Sequence, residues 1–358
     1  MLGAPWSKPH CERRVGERTF SGSVCKDGLV RLIGRLGFAA ATLLLVAGSA
    51  SQATASPAHA RAPNVGASSN FVLATGSGPD FHIESASTGA LVKDLGTVQG
   101  WTNNGLALSP DGQYVYVVVN QATTLAIERL SVSTGAETFV AQGEEPAVSP
   151  NSRLLAFGSG PSGSNTLVVR DLTSGKDQSI DLRPLLGGQT DLLNASITWL
   201  GDGSEIMVLP GGVGNDLMGG ATPRAVPGSC SAASANDTCL IVVSVRSGHP
   251  LKAKRVILSG LKDSDVIGAS GSSDLVSTGF DVRHNGVYLA DLANGASSVT
   301  RLFSLPSVLP LTFGAQGATL FYLVGHGPEA LWLAKVTPDG LKDAHMLNAN
   351  VALSALAS

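Results

Sequence analysis

The chain has 358 residues, with 24 Lys+Arg against 27 Asp+Glu for a formal net charge of −3; 43% of residues are hydrophobic, 14% are charged and 43 are glycine. That balance excludes a polyelectrolyte tail, a charged coiled coil and a disordered linker. A turn-rich globular domain is what remains.

The first sixty residues differ from the rest. They hold seven basic residues (Lys8, Arg13, Arg14, Arg18, Lys26, Arg31 and Arg35) against three acids, and then residues 36–50 without a charge, ahead of Ala58-His59-Ala60. This is the order of a secretory signal peptide with an extended n-region over residues 1–60, and cleavage is expected after Ala60. The apolar stretch is shorter than the ~18 residues of a spanning helix, and no cysteine follows it for a lipid anchor. The mature product is therefore expected to be a monomer without a membrane span, secreted or held in the cell-envelope space. Residues 61–358, read as a single domain, carry 17 Lys+Arg against 24 Asp+Glu, a net charge of −7. Nucleic acid is excluded as a partner, because phosphate binding needs a basic patch. Lys252, Lys254 and Arg255 come nearest, and they read as the solvated face of a strand. Cys11 and Cys25 leave with the leader. Cys230 and Cys239, nine apart, read as a local disulfide, since the nearest imidazole, His249, does not complete a zinc set.

Strands are expected at 71–75, 80–85 and 91–95, a unit lacking its innermost strand. A repeat then recurs: a turn, an aliphatic run, a variable loop, a second run and a Ser/Thr-Gly turn. It is clearest at 106–119, around Ser109-Pro110-Asp111-Gly112, and continues through 124–132 to Ser133-Thr134-Gly135. The next copy covers 147–157 and 166–172 and ends on Thr173-Ser174-Gly175. A third starts at 197–203 and reaches 240–245 only after an insertion over 210–238. Residues 266–273 with 286–292 form a degenerate fourth, and 311–317, 319–324 and 330–336 a fifth. Equivalent turn positions (Ser109, Ser149, Leu200, Ala269 and Gly314) lie 40, 51, 69 and 45 apart, matching a four-stranded propeller blade of ~40–45 residues with inserted loops. Val351-Ala352-Leu353-Ser354 repeats Leu106-Ala107-Leu108-Ser109. The expected fold is all-β: a six-bladed β-propeller of four-stranded antiparallel blades, its ring closed by the C-terminal strand so that no sheet edge stays open. No window sustains a 3.6-residue apolar period, so helices should be short or absent.

The stretches 107–117, 146–157 and 167–175 resemble the repeat of bacterial WD-repeat-like and TolB-like propellers. The resemblance implies the propeller architecture. The Trp-Asp pair of eukaryotic repeats and a TolB-like accessory domain are missing, so it does not carry a transport partnership like TolB's.

In such a fold the short Gly turns share one face, and the second-to-third loops open on the other: 76–79, 120–123, 158–165, 210–238, 277–285 and 325–329. Variable loops on a rigid scaffold are where binding concentrates. The interblade connections bring Trp101, Asn103, Asn104, Glu144, Glu145, Asp191, Asn194, Asp263 and Asp265 to the same rim, and His284 and His326 lie on its loops. Trp101, in a polar stretch, is expected to be an exposed stacking platform, with Trp199 and Trp332 in the core. Residues 211–218 match one copy of a calcium-binding nonapeptide in which Asp216 would supply carboxylate oxygen, but a calcium roll needs tandem copies. Calcium is thus the one cofactor the sequence admits, and no metal ligand set is assigned. The chain has no G-x-S-x-G elbow, H-E-x-x-H or Walker loop, so no catalytic residue is assigned either. The reading is a secreted, non-catalytic binding or scaffolding propeller for a protein, peptide or glycan. The alternative is an exported metal-dependent hydrolase or lactonase-like propeller using the rim carboxylates or histidines.

Overall fold

The computed structural model describes residues 70–75, 80–159, 165–187, 196–200, 203–210, 230, 237–258, 264–270, 274–279, 286–291, 299–304, 308–313, 319–324, 329–337, 340–351 and 353–357, with side chains described except at 103, 104, 264–321, 323–329, 336–340 and 349–357. All lie in the compact unit Ala60–Ser358. The leader expected over residues 1–60 is outside the described residues.

The chain enters through β1 (Asn70–Thr75), β2 (Asp80–Ser85) and β3 (Leu91–Thr97). A second sheet follows from β4 (Trp101–Leu108), β5 (Tyr114–Gln121), β6 (Thr124–Ser131) and β7 (Glu137–Gln142). The third comprises β8 (Glu144–Val148), β9 (Leu154–Ser159), β10 (Thr166–Asp171) and β11 (Asp177–Asp181). After a single turn of helix, α1 (Arg183–Leu186), come β12 (Ser196–Trp199), β13 (Glu205–Leu209), β14 (Thr238–Ser244) and β15 (Lys252–Leu258). The fifth sheet is β16 (Ser264–Ser270), β17 (Asp274–Gly279), β18 (Gly286–Asp291) and β19 (Val299–Ser304). The sixth is β20 (Val308–Phe313), β21 (Thr319–Val324), β22 (Glu329–Thr337) and β23 (Gly340–Val351). The last strand, β24 (Leu353–Ala357), pairs antiparallel with β1. Among the described residues the strands thus form six antiparallel sheets of four, the first ordered β24-β1-β2-β3. The first strands adjoin in sequence: β4 lies against β8, β8 against β12, β12 against β16, β16 against β20, and β24 against both β20 and β4.

Packing explains why strand runs such as Val115 to Val119 are continuously apolar rather than alternating. Val115, Val117 and Val119 face Phe81 and Ile83 of the first sheet, whereas Tyr116 and Val118 face Leu155, Phe157 and Val168 of the third. Both faces of the strand are covered, and each fully buried valine or leucine contributes roughly 1.5–3 kcal/mol. The third and fourth sheets join likewise through Leu167, Val169, Ile206, Val208, Ile241 and Val243. Phe71 and Leu73 of the first sheet pack on Leu331, Leu333 and Leu347 of the sixth.

The repeated turn is held by a buried hydroxyl. Ser109 Oγ donates to Asp111 Oδ1 at 2.6 Å and accepts the Tyr114 N–H at 2.9 Å. Ser149 Oγ does the same with Asn151 Oδ1 at 2.8 Å and the Leu154 N–H at 2.9 Å. These turns are tied to the third-to-fourth strand turns of their own sheets: the N–H groups of Val132, Leu172 and Val245 donate to the carbonyls of Gln113, Arg153 and Ser204 at 2.9, 2.9 and 2.8 Å. The short turns therefore share one end of the sheets.

One boundary differs from the sequence reading. The last strand, expected from the match at 351–354, is Leu353–Ala357, and Val351 belongs to β23. Its partner is the apolar β1, whose register takes Leu353, Ala355, Leu356 and Ala357, so pairing rather than the short sequence match sets the position. Deleting residues 353–358 should expose the β1 edge, lowering the melting temperature by ~10 °C or more and producing association on gel filtration. A truncated chain that stays monomeric and melts within ~2 °C of the parent would contradict this role for β24.

Candidate functional site

The first strand of each sheet begins at the end opposite the short turns, and there the ladder breaks in all but one of them. In β4, Trp101 pairs with Val119 and Leu106 with Val117, so four residues oppose Val118 alone. In β8, Glu144 pairs with Gly158 and Ala147 with Ala156, leaving Glu145 and Pro146 opposite Phe157. β16 slips between Val266 and Gly268, β20 between Pro310 and Thr312, and the β24 pairing slips opposite Ala74 and Thr75. Five of the six first strands are thus bulged near their entry, β12 being regular. Bulges release backbone groups from the ladder and re-aim side chains, and they concentrate beside binding sites.

Two glycines make the bulges fit. A Cβ on Gly105 (φ +130°) would lie 2.5 Å from Pro146 Cδ and 2.9 Å from Glu145 Cα; one on Gly143 (φ +153°) would lie 2.4 Å from the Gly158 carbonyl oxygen. β4 and β8 therefore approach closely at Glu145, which itself has φ +53°, a costly conformation for a residue with a Cβ. Glu144 is buried. Burial, reinforced by the adjacent Glu144, pushes the Glu145 carboxyl up to about 8. At neutral pH it is largely protonated, able to donate a hydrogen bond as well as accept one.

The structure brings Trp101, Asn103, Asn104, Glu144 and Glu145 to these two neighbouring strand entries, not to loops as expected; the bulges hide the two-residue period that would have marked strands. Trp101 is also corrected in its exposure. It is half-buried, packs against Leu95 and Leu106 and meets Phe81 edge-on at 5.7 Å, and its indole N–H is sequestered without a hydrogen-bond partner. Ladder pairing with Val119 directs the ring between the first two sheets, so it is not an open platform. Trp199 is core, donating its N–H to the Ala147 carbonyl at 2.9 Å, and Trp332 stacks on Tyr322. Asp265 lies in β16, opposite Thr278. Asp191, Asn194, Asp216, Asp263, His284 and His326 are outside the described residues. Sequence reasoning missed Thr102, Gly105, Gly143 and Pro146; glycines interrupting strand-like runs were the available signal.

Among the described residues no group of three His, Cys, Asp or Glu side chains could hold a metal ion. Gly158-Ser159-Gly160-Pro161-Ser162-Gly163 spells a dinucleotide fingerprint, but in sequence it falls between the antiparallel strands β9 and β10, whereas that motif belongs between a strand and a helix. Cys230 and Cys239 form a disulfide; Cys230 is buried in the cluster containing Trp199 and Leu251, which fixes the end of the long insertion to β14.

The architecture is similar to that of TolB from Acinetobacter baumannii, with a TM-score of 0.53 and 15% identity over 80% of this chain and 65% of that one, so the chain spans just under two thirds of that protein's length. It is also similar to a putative TolB from Agrobacterium tumefaciens, with a TM-score of 0.50 and 13% identity over 78% of this chain and 88% of that one. No protein-family model and no curated protein matches the chain. The fold is a TolB-like β-propeller, and at these identities the likeness extends to the fold alone.

Buried carboxyls give the stability a direction in pH. Glu145 has a raised pKa, so its contribution is fully present below the ordinary value of 4.5 and is lost as pH rises through about 8. Glu84, buried on β2 with one oxygen unpartnered, is raised in the same direction by desolvation, partly offset by His82. The melting temperature should fall between about pH 5 and pH 8.5. Glu145→Gln should raise it by roughly 3–6 °C at the upper pH and leave it nearly unchanged at the lower; parallel profiles for the two proteins would show that Glu145 does not titrate in this window.

Proposed function

We propose that the protein is an exported, non-catalytic binding propeller, six blades closed by the C-terminal strand, that grips a protein, peptide or glycan at the end carrying the second-to-third loops. The observation that carries this reading is the asymmetry between the two ends. At one, buried serines and backbone hydrogen bonds close the repeated turns on themselves. At the other, strand entries bulge, Glu145 sits strained and largely protonated beside Glu144, and the connections vary in length. A neutral carboxyl among freed backbone groups suits amide and hydroxyl partners better than a hard cation.

Export is supported by the leader-like residues 1–60 and by the Cys230–Cys239 disulfide, since such bonds persist in oxidising compartments. N-terminal sequencing of the protein recovered outside the cytoplasm should begin at Arg61; an intact leader on that protein would contradict the assignment.

The binding reading is tested with the purified protein as bait against extracellular proteins and glycans. Asn103→Ala/Asn104→Ala and Glu145→Gln, together with a variant in which residues 211–229 are replaced by a short Gly-Ser link, should weaken capture at least ~tenfold in surface plasmon resonance, a loss of about 1.4 kcal/mol. Trp101 is unsuitable for this test because its ring is part of the packing. Capture undiminished in all three variants would place the ligand elsewhere.

A further inference from the structure

The hairpin between β14 and β15 departs from the repeat in a way the fold does not require. In the first three sheets the connection from third to outermost strand is five residues long and closes on itself. Gly89, Gly135 and Gly175 donate their N–H groups to the carbonyls of Ser85, Ser131 and Asp171, each at 2.8 Å. The hydroxyls of Thr88, Thr134 and Ser174 accept the N–H groups of Ala90, Ala136 and Lys176. The fourth connection has seven residues. Arg246 stands where Ser87, Ser133 and Thr173 stand in the others, and the turn after Gly248 is extended by two residues to include His249 and Pro250. This longer turn is held by the His249 N–H on the Arg246 carbonyl at 3.1 Å, and at its base by the Val245 N–H on the Ser204 carbonyl and by buried Leu251.

The extended turn borders an open surface cavity of about 180 Å³ lined by Ser244, Arg246, His249, Pro250 and Lys252. Three basic residues, Arg246, His249 and Lys252, belong to that lining, each exposed to solvent, and no carboxylate does. The nearby Glu205 accepts the Ser244 hydroxyl at 3.1 Å. Among the described residues none of Arg246, His249 and Lys252 forms an ion pair, whereas Arg170, Arg183 and Lys335 each do. Lys254, exposed two residues along β15, adds positive potential to the same strand face. A tetrahedral oxyanion suits such a lining, because a guanidinium fork and an ammonium match its oxygens with charge-assisted hydrogen bonds.

We propose that the β14–β15 hairpin is a binding site for a phosphate or sulfate group, either the free oxyanion or the end of a monoester. It lies at the short-turn end of the sheets, opposite the bulged strand entries, and so stands independently of the proposed ligand face.

The test is calorimetric titration of the purified protein with inorganic phosphate, inorganic sulfate and glucose 6-phosphate, each against sodium chloride at matched ionic strength. Saturable binding in the millimolar range or tighter is expected. Arg246→Ala and Lys252→Ala should each weaken it at least ~tenfold, and Lys254→Ala, outside the cavity lining, less than ~threefold. Arg246→Lys, which keeps the charge and loses the fork, should fall between these values and guards against a packing artefact. Tighter binding of the sugar phosphate assigns the site to esterified groups, and equal or weaker binding assigns it to the free oxyanion. Absence of saturation beyond the chloride control, or unchanged affinity in Arg246→Ala and Lys252→Ala, overturns the proposal.

Discussion

The antiparallel pairing of Leu353–Ala357 with Asn70–Thr75 is the constraint on which the rest depends. The N-terminal segment provides three strands where every other unit has four, and a three-stranded unit would leave β1 with an unsatisfied backbone edge. The C-terminus supplies the missing strand, joining residues nearly three hundred positions apart. Phe71 and Leu73 on that sheet then pack against Leu331, Leu333 and Leu347 on the sixth, so the same seam combines backbone pairing with apolar burial. Loop-closure entropy opposes so long-range a contact, and that combination offsets it.

From this arrangement follows a division of labour between the two ends of the sheets. Among the described residues of the short-turn end, serine hydroxyls, Asp111 and Asn151 side chains and cross-turn N–H groups satisfy one another. The hairpin bearing Arg246, His249 and Lys252 departs from that economy: its longer turn borders a cavity. At the other end, the bulges of β4 and β8 force their strands together at Gly105 and Glu145. There Glu145 combines a positive φ with a carboxyl whose pKa is raised by burial and by the adjacent Glu144.

Much of the architecture was legible because a propeller repeat writes itself locally. Ser109-Pro110-Asp111-Gly112 and Ser149-Pro150-Asn151-Ser152 dictate their turns through bonds within five residues, and apolar runs such as 115–119 announce strands covered on both faces. The disulfide followed from two cysteines nine residues apart. The candidate site was less legible. Trp101, Asn103, Asn104, Glu144 and Glu145 were recognised as belonging together, but as loop residues, since bulges erase the alternation by which a strand is read. The exposure expected of Trp101 failed because polarity of its sequence neighbours says little about a ring whose contacts, Phe81 and Leu95, come from another sheet.

The sequence by itself determined the repeat, the turn chemistry, the near absence of helix and the cysteine pair, all properties fixed by neighbours within a few tens of residues. Tertiary structure decided which residues complete the first sheet, which side of Trp101 is covered, how β4 and β8 press Glu145 into a strained and weakly acidic state, and how Arg246, His249 and Lys252 come to share a cavity. The physical reason is common to these cases. Strand register, burial and electrostatic environment are set by partners from other strands and sheets, and a linear reading has no access to those distances.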